Sequence, residues 1–297
     1  MTVLDRVIAR TLPFVPKPIV RKVASRYIAG ETVDDALRVV SKLNGRGFRA
    51  TLDILGEHVH KLDQAESAVT GYLQLIEEID RRKLDSNVSV KLTQLGLKVD
   101  IRKCLELAGR LVRRAKELNN FVRIDMEDSS CTTDTLEIYR KLRKEHSNVG
   151  VVIQAYLRRT MNDVAMIEDL KPNYRLCKGV YVEPPEIAYL EMPEINQSYV
   201  EILERLLRNG SYTGIATHDE QLVSEAFRLI RTLNLPASAY EFQMLLGVQE
   251  QLRDRIRRAG HNLRVYIPFG RDWYAYSVRR LKENPRLAGY VLRAMFK

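Results

Sequence analysis

From Gly47 to the end of the chain, short runs of apolar and β-branched residues alternate with stretches of helical periodicity. Alternation of this kind builds parallel sheet, because a strand that returns through a helix re-enters the sheet in the same direction. Strands are predicted at residues 49–54, 87–92, 121–126, 150–155, 174–178, 213–217, 239–244 and 264–267, with helices at 64–83, 100–119, 132–145, 160–169, 193–209, 219–233 and 248–259. Eight strands are the number that closes a (β/α)8 barrel of the TIM type, so the expected fold class is α/β, with the barrel over 47–297 and no second domain. Ahead of it, Val3, Leu4, Val7 and Ile8, then Ile19, Val20, Val23, Tyr27 and Ile28, then Ala36, Leu37, Val40 and Leu43 mark helix faces broken by Pro13, Pro16 and Pro18. They predict an N-terminal helical arm over 1–46.

The eighth helix follows the last strand, in Arg271-Asp-Trp-Tyr-Ala-Tyr-Ser-Val-Arg-Arg-Leu-Lys-Glu-Asn-Pro285, where Asp272 can cap it and Asn284-Pro285 can stop it. Tyr276, Arg279, Arg280 and Glu283 fall at i, i+3, i+4 and i+7, on one face. Two adjacent guanidinium forks can grip a carboxylate or phosphate while the tyrosine closes over a small apolar body. Taken alone, the same pattern also describes a solvated basic helix end.

In a barrel of this kind the active site collects at the C-terminal ends of the strands. Those ends supply Lys91, Asp125, Gln154, Arg175 with Lys178, Thr217 with His218, Gln243 and Tyr266. A packed core has no use for a polar group at nearly every strand end, and the pattern favours an enzyme. Lys91, Arg175, Lys178, Arg279 and Arg280 make the expected pocket strongly cationic, with Asp125 and Glu57 as the acids placed to pair with some of them. The ligand should then be anionic: a phosphate or pyrophosphate near the late strands, and a small carboxylate under the final helix. No G-x-G-x-x-G or P-loop is present, so a cofactor would have to lie on the barrel itself.

The net charge of +10 invites nucleic acid or an anionic membrane surface. The basic residues are dispersed, however, in pairs such as Arg81-Arg82 and Arg257-Arg258 among acids, without a nucleic-acid motif, and no nucleic-acid partner is expected. No apolar run reaches the roughly 18 residues of a membrane span, and the first residues lack a secretory apolar segment, so a cytoplasmic location is expected. Cys104, Cys131 and Cys177 suggest no disulfide framework, and neither they nor His58 and His60 complete a ligand set, so no metal is expected.

Tyr174-Arg-Leu-Cys-Lys-Gly-Val-Tyr181, Ala216-Thr-His-Asp219, Phe242-Gln-Met-Leu-Leu-Gly-Val248, and Tyr266-Ile-Pro-Phe-Gly270 through Tyr276-x-x-Arg-Arg280 resemble, in order and spacing, the motifs of proline dehydrogenases. The similarity runs from about residue 47 to the end, and the chain looks like the monofunctional bacterial form, without an aldehyde dehydrogenase portion. The resemblance implies a distorted barrel that holds FAD without a covalent link. It further implies oxidation of L-proline to Δ1-pyrroline-5-carboxylate by hydride transfer to flavin N5, with electrons passed to a membrane quinone, as the opening step of proline catabolism to glutamate.

By matching motifs, Gln154, Arg175, Lys178, Gly179, Val180, Tyr181, Thr217, His218 and Glu283 are implied to hold FAD. Arg175 would lie near the reactive nitrogen, Gln154 near the adjacent carbonyl edge, and Thr217 and His218 on the ribityl or pyrophosphate part. Proline's carboxylate is implied to sit against Arg279 and Arg280, with Lys91 completing a cationic cradle and Asp125 pairing with Arg280. Leu245, Tyr266, Tyr276 and Tyr181 would enclose the ring, and Glu57 would pair with the first arginine and close the site. Two departures stand out against the commoner pattern. Asp219 replaces an asparagine and would add negative charge near the cofactor phosphates, while Val180-Tyr-Val182 replaces Ala-Tyr-Trp and would open the flavin face. An enzyme that reduces a lipid-dissolved quinone gains by resting on anionic lipid, which gives the basic amphipathic start a use. Two rival readings are an aldolase-like barrel, with Lys91 or Lys178 forming a Schiff base, which leaves the twin arginines and the late motifs without a purpose, and a basic nucleic-acid binder, which predicts tight, salt-sensitive binding to any duplex.

Overall fold

The computed structural model of the chain describes residue 21 and residues 24–56, 59–274 and 277. Strands β1 (Arg49–Ile54), β2 (Ser86–Val90), β3 (Val122–Ile124), β4 (Val149–Gln154), β5 (Tyr174–Cys177), β6 (Thr213–Ala216), β7 (Tyr240–Leu245) and β8 (Leu263–Phe269) pair in sequence order into a closed barrel. All neighbours are parallel, and closure is made by β1 on β8, in register from Arg49 opposite Arg264 to Ile54 opposite Phe269.

Helix α1 (Val33–Asn44) precedes the barrel. Helices α2 (Leu62–Arg81), α3 (Ile101–Glu117), α4 (Ser129–Glu145), α5 (Thr160–Ile167), α6 (Met192–Arg208), α7 (Glu220–Thr232) and α8 (Glu250–Arg258) connect its strands. Each buries an apolar stripe of helical spacing, such as Val69, Tyr72, Ile76 and Ile79 in α2. Asp100, Asp128 and Asp219 accept first-turn N–H groups of α3, α4 and α7, caps that are each worth about 1 kcal/mol. Of the arm expected over 1–46, the described part lies along β1 and β8. There Ala36, Leu37, Val40 and Leu43 of α1 join the barrel's own core, and Gly270 N donates to Gly30 O at 3.0 Å.

β3 stops at Ile124, short of the expected 126, and β8 runs past the expected 267 through Pro268 to Phe269. Pro268 has no N–H to give, but the ladder survives on its neighbours, with Leu55 N donating to Phe269 O at 2.8 Å. In the expected last helix Trp273, Tyr274 and Ser277 are helical. Tyr276, Arg279, Arg280 and Glu283 lie outside the described residues, as do Glu57 and His58.

The barrel's interior departs from the apolar layers usual in this architecture. Asp53, Ser89, Lys91, Asp125, Arg175, Gln243 and Tyr266, from β1, β2, β3, β5, β7 and β8 or their ends, bond to one another, which only inward-pointing side chains can do. Nearer the N-terminal end, Glu241 of β7 accepts from Arg264 at 2.6 Å and from Arg49 at 3.4 Å. The apolar core lies instead between the strands and the helical ring. Polarity in the lumen is therefore concentrated where a site can use it.

Candidate active site

A cavity of about 310 Å³ opens at the C-terminal ends of the strands. Asp53, Lys91, Asp125, Gln154, Arg175, Gln243 and Tyr266 give it polar groups, while Met126, Val152, Cys177, Ala216, Met244 and Leu245 give it apolar faces. The loops after β5 and β6 add Lys178, Gly179, Val180, Tyr181 and His218. The turn after β5 requires its glycine: Gly179 has φ +110°, and a Cβ there would fall 2.0 Å from the Tyr156 ring.

The charges in the lumen interlock. Lys91 Nζ lies 3.0 Å from both oxygens of Asp53 and 3.4 Å from Asp125 Oδ2. Asp125 also accepts from Ser89 Oγ at 2.6 Å, Arg175 Nη1 at 2.8 Å and Tyr266 OH at 2.9 Å. Arg175 sits over the Tyr266 ring, 5.1 Å from its centroid. Tyr72 braces the cluster from outside, donating to Ser89 O at 2.9 Å with its hydroxyl 3.3 Å from Asp53.

Burial works against every charge here, and the partners decide the outcome. It pulls the Lys91 ammonium down, yet Asp53, followed by Tyr266 and Asp125, outweighs it and holds the group well above the ordinary lysine range. It pushes Asp125 up, but the charges of Lys91 and Arg175, aided by bonds from Ser89 and Tyr266, keep that carboxyl below its usual value. For Asp53 burial wins, with Lys91 offsetting only part of it, so its carboxyl is raised. Burial and the two carboxylates push the Tyr266 phenol well up, so it keeps the proton that it donates to Asp125.

The expected strongly cationic pocket is not what the described residues form. Lys91 and Arg175 are committed to Asp53 and Asp125, and Lys178 Nζ is 2.7 Å from Asp219 Oδ2. Sequence supplies the number of charges, whereas their pairing depends on the closed barrel. Lys91 thus faces the chain's own acids instead of standing open to a ligand carboxylate. Asp219 does not stand as an added open charge either. It caps α7 through Gln221 N at 2.9 Å and takes Lys178, and although burial raises its carboxyl, the Lys178 hydrogen bond helps to hold it below the ordinary range.

Lys91, Asp125, Gln154, Arg175, Lys178, Gly179, Val180, Tyr181, His218, Leu245 and Tyr266 all meet at this one cavity. Thr217 does not line it; its hydroxyl accepts from Asp219 N at 3.1 Å. Asp125 has its four donors among the described residues, and its expected partner Arg280 lies outside them. Asp53, which sequence reasoning passed over, is 1% exposed and makes the two shortest contacts to Lys91. An acid inside the apolar and β-branched run Ala50-Thr-Leu-Asp-Ile-Leu55 was the available signal.

An eight-stranded parallel barrel with a cavity of apolar faces and buried charged groups at the C-terminal ends of its strands defines a TIM-barrel enzyme. Residues 36–292 match the family model described as proline dehydrogenase, and the chain belongs to that family. It is 36% identical over 274 residues to proline dehydrogenase 1 of Bacillus subtilis (strain 168), covering 92% of this chain and 91% of that one. To the proline dehydrogenase of Deinococcus radiodurans it is 37% identical over 279 residues, with 92% and 90% covered. Among solved structures, that of proline utilization A (PutA) from Bdellovibrio bacteriovorus inactivated by N-propargylglycine aligns with a TM-score of 0.82 at 28% identity, over 89% of this chain and 33% of that longer one. The chain is therefore an oxidoreductase that oxidises proline, in proline catabolism. No helix among the described residues is long and apolar enough to cross a membrane.

Proposed function

We propose that the cavity takes FAD and L-proline together and that the chain oxidises L-proline to Δ1-pyrroline-5-carboxylate, with a membrane quinone as the onward electron acceptor. The observation that carries this reading is the setting of Arg175. The residue is 6% exposed, and its guanidinium is pinned by Asp125, Ser89 and Gln243 at the wall of a cavity with apolar faces, beside Gln154 and Lys178. Apolar faces with a few fixed N–H donors suit a flat ring that carries carbonyl groups and gains negative charge, so these residues fit a flavin. When bound, FAD supplies the acceptor for the hydride that leaves C5 of proline; the proline nitrogen gives up a proton.

The chain's own residues have three tasks. Arg175 presents a preorganised positive charge to the cavity, and a charge held in place needs no reorganisation when negative charge develops opposite it. Gln154, Lys178, Gly179, Val180, Tyr181 and His218, with Thr217 in the turn behind them and Glu283 beyond the described residues, would hold the cofactor. Leu245, Tyr181 and Tyr266, joined by Tyr276, would enclose the proline ring and exclude water.

The substrate carboxylate needs a cation that is not already spent. Lys91, Arg175 and Lys178 are each paired with an acid of the chain, and the resemblance to proline dehydrogenases assigns the grip to Arg279 and Arg280, whose adjacent forks match a carboxylate. Glu57 would then close over Arg279. Lys91 serves to hold Asp53 and Asp125 in place. As an ammonium fixed between two carboxylates it is a poor Schiff-base nucleophile, which speaks against the aldolase-like alternative. The basic surface, at net charge +10, would rest on the anionic inner face of the cytoplasmic membrane to meet the quinone.

Cofactor identity tests the reading. The ligand released on denaturing the purified protein should co-elute with FAD, and L-proline labelled with deuterium at C5 should be oxidised more slowly than unlabelled proline. Protein that carries FMN or no flavin after supply of FAD, or an absence of isotope effect under single-turnover conditions, would contradict it.

A further inference from the structure

Arg175 reaches the cavity on a side chain anchored through two different nitrogens. Nη1 is shared between Ser89 Oγ at 3.0 Å and Asp125 Oδ1 at 2.8 Å, and Nε donates to Gln243 Oε1 at 2.5 Å. One nitrogen fixes where the planar fork sits, and the second fixes how it is turned.

Gln243, 5% exposed, has no choice of orientation. Its Nε2 donates to Glu241 Oε1 at 2.8 Å, two residues down the same face of β7. Burial pushes Glu241 up, but Arg264, Gln243 and Arg49 hold its carboxyl down at about 2, so it is ionised and can only accept. The amide nitrogen must therefore face Glu241, and the amide oxygen must face Arg175. Only a side chain with a donor on one edge and an acceptor on the other fits between a carboxylate and a guanidinium. Glutamate would set two carboxylates against each other, and an apolar residue would take one hydrogen bond from each neighbour, leaving Glu241 to Arg264 and Arg49, and Arg175 to Asp125 and Ser89. The neighbouring strand makes room for the amide: a Cβ on Gly214 of β6 would lie 2.5 Å from Gln243 Nε2 and 2.8 Å from its Cδ.

We infer that Gln243 is a positioning residue for Arg175, setting the orientation of the guanidinium and, through it, the reduction potential of the flavin. The inference rests on FAD occupying the cavity, as proposed above. It assigns to a neutral amide an influence on a redox equilibrium that acts only through its partner.

Spectroelectrochemistry of FAD-loaded protein tests it, together with flavin content and steady-state kinetics. Gln243→Met changes no charge and is close in size. It should keep wild-type flavin content and leave KM for proline within about twofold, yet shift the two-electron equilibrium about tenfold towards oxidised enzyme, a fall of ~30 mV. Gly214→Ala removes no polar group but pushes the amide out of position, and it should shift the potential in the same direction; it decides the matter if Gln243→Met does not fold. In an Arg175→Met background neither substitution should move the potential further. Flavin-loaded variants with the wild-type potential, or shifts of equal size in the Arg175→Met background, would overturn the inference. Wild-type protein that cannot be loaded with flavin would overturn the cofactor reading and the inference with it, a result distinct from a loaded enzyme indifferent to Gln243.

Discussion

Replacing Asp53 by asparagine removes the carboxylate that Lys91 meets through both oxygens at 3.0 Å, and leaves this buried lysine, 9% exposed, with Asp125, at 3.4 Å, as its carboxylate among the described residues. Removing one partner of a buried pair costs roughly 3–5 kcal/mol, because the other charge stays buried. Asp125 can close on Lys91, and the new amide can still offer one carbonyl oxygen, so the expected loss lies at the lower end, about 3 kcal/mol. Closing on Lys91 draws Asp125 away from Arg175, so proline oxidation should slow as well. Lys91→Met strands the opposite charge. Asp53, whose carboxyl burial already raises, loses its offset and rises further above its unfolded value. The cost of that variant is therefore full above the new folded pKa and shrinks as pH falls towards the unfolded one, where both states are protonated. The double variant Asp53→Asn with Lys91→Met buries neither charge and should be no less stable than either single variant, a coupling of at least about 3 kcal/mol. Urea unfolding of the four proteins at neutral pH reads this directly. Losses that add to within about 0.5 kcal/mol would refute a mutually dependent pair.

Glu241→Gln should flatten the acid limb of stability: the fall of the Glu241 carboxyl from 4.5 to about 2 corresponds to ~3 kcal/mol, present above pH 4.5 and lost as pH drops towards 2. Urea midpoints between pH 5 and pH 3 that track wild type would contradict it. Arg175→Met should keep the fold and bound FAD but lower the flavin's reduction potential and slow its reduction by proline; an unchanged potential with full flavin content would mean that Arg175 does not stabilise the reduced flavin. Arg279→Met and Arg280→Met should each raise KM for proline roughly tenfold to a hundredfold, from a charge-assisted bond of about 1.5–3 kcal/mol, with FAD retained. Lysine at either position should recover only part of the loss, and a wild-type KM in the Met variants would show the pair to be a solvated helix end.

The barrel was legible because its signal is periodic. Each strand is a short buried run and each helix a stripe at three- and four-residue spacing, so element type follows from local pattern, with ends uncertain by a few residues. The ends that moved did so for reasons outside local pattern: β8 continues through Pro268 because β1 holds the residues around it, as the Leu55 N bond to Phe269 O shows. Strand-end polar residues such as Lys91, Asp125 and Arg175 could be named from position, yet their pairing could not. Lys91 and Asp53 are 38 residues apart and meet only when the barrel closes, which is also why a count of cations suggested an open positive pocket where the fold builds ion pairs. Gln243 was named from its strand end, and Glu241 was readable on the same strand. They alternate with Tyr240, Phe242 and Met244, and the two-residue period puts the polar pair on the lumen face. Asp219 shows the same limit: its substitution for asparagine is visible in sequence, but its neutralisation by Lys178 is not.

Anaerobic titration of the purified, FAD-supplied protein with L-proline bears most closely on the proposed chemistry. The expected result is an oxidised-flavin absorption spectrum that bleaches in proportion to the L-proline added, with Δ1-pyrroline-5-carboxylate formed in equal amount and the colour restored by a soluble quinone. A bound flavin that dithionite reduces and L-proline leaves oxidised, or a protein that binds no flavin, would contradict it.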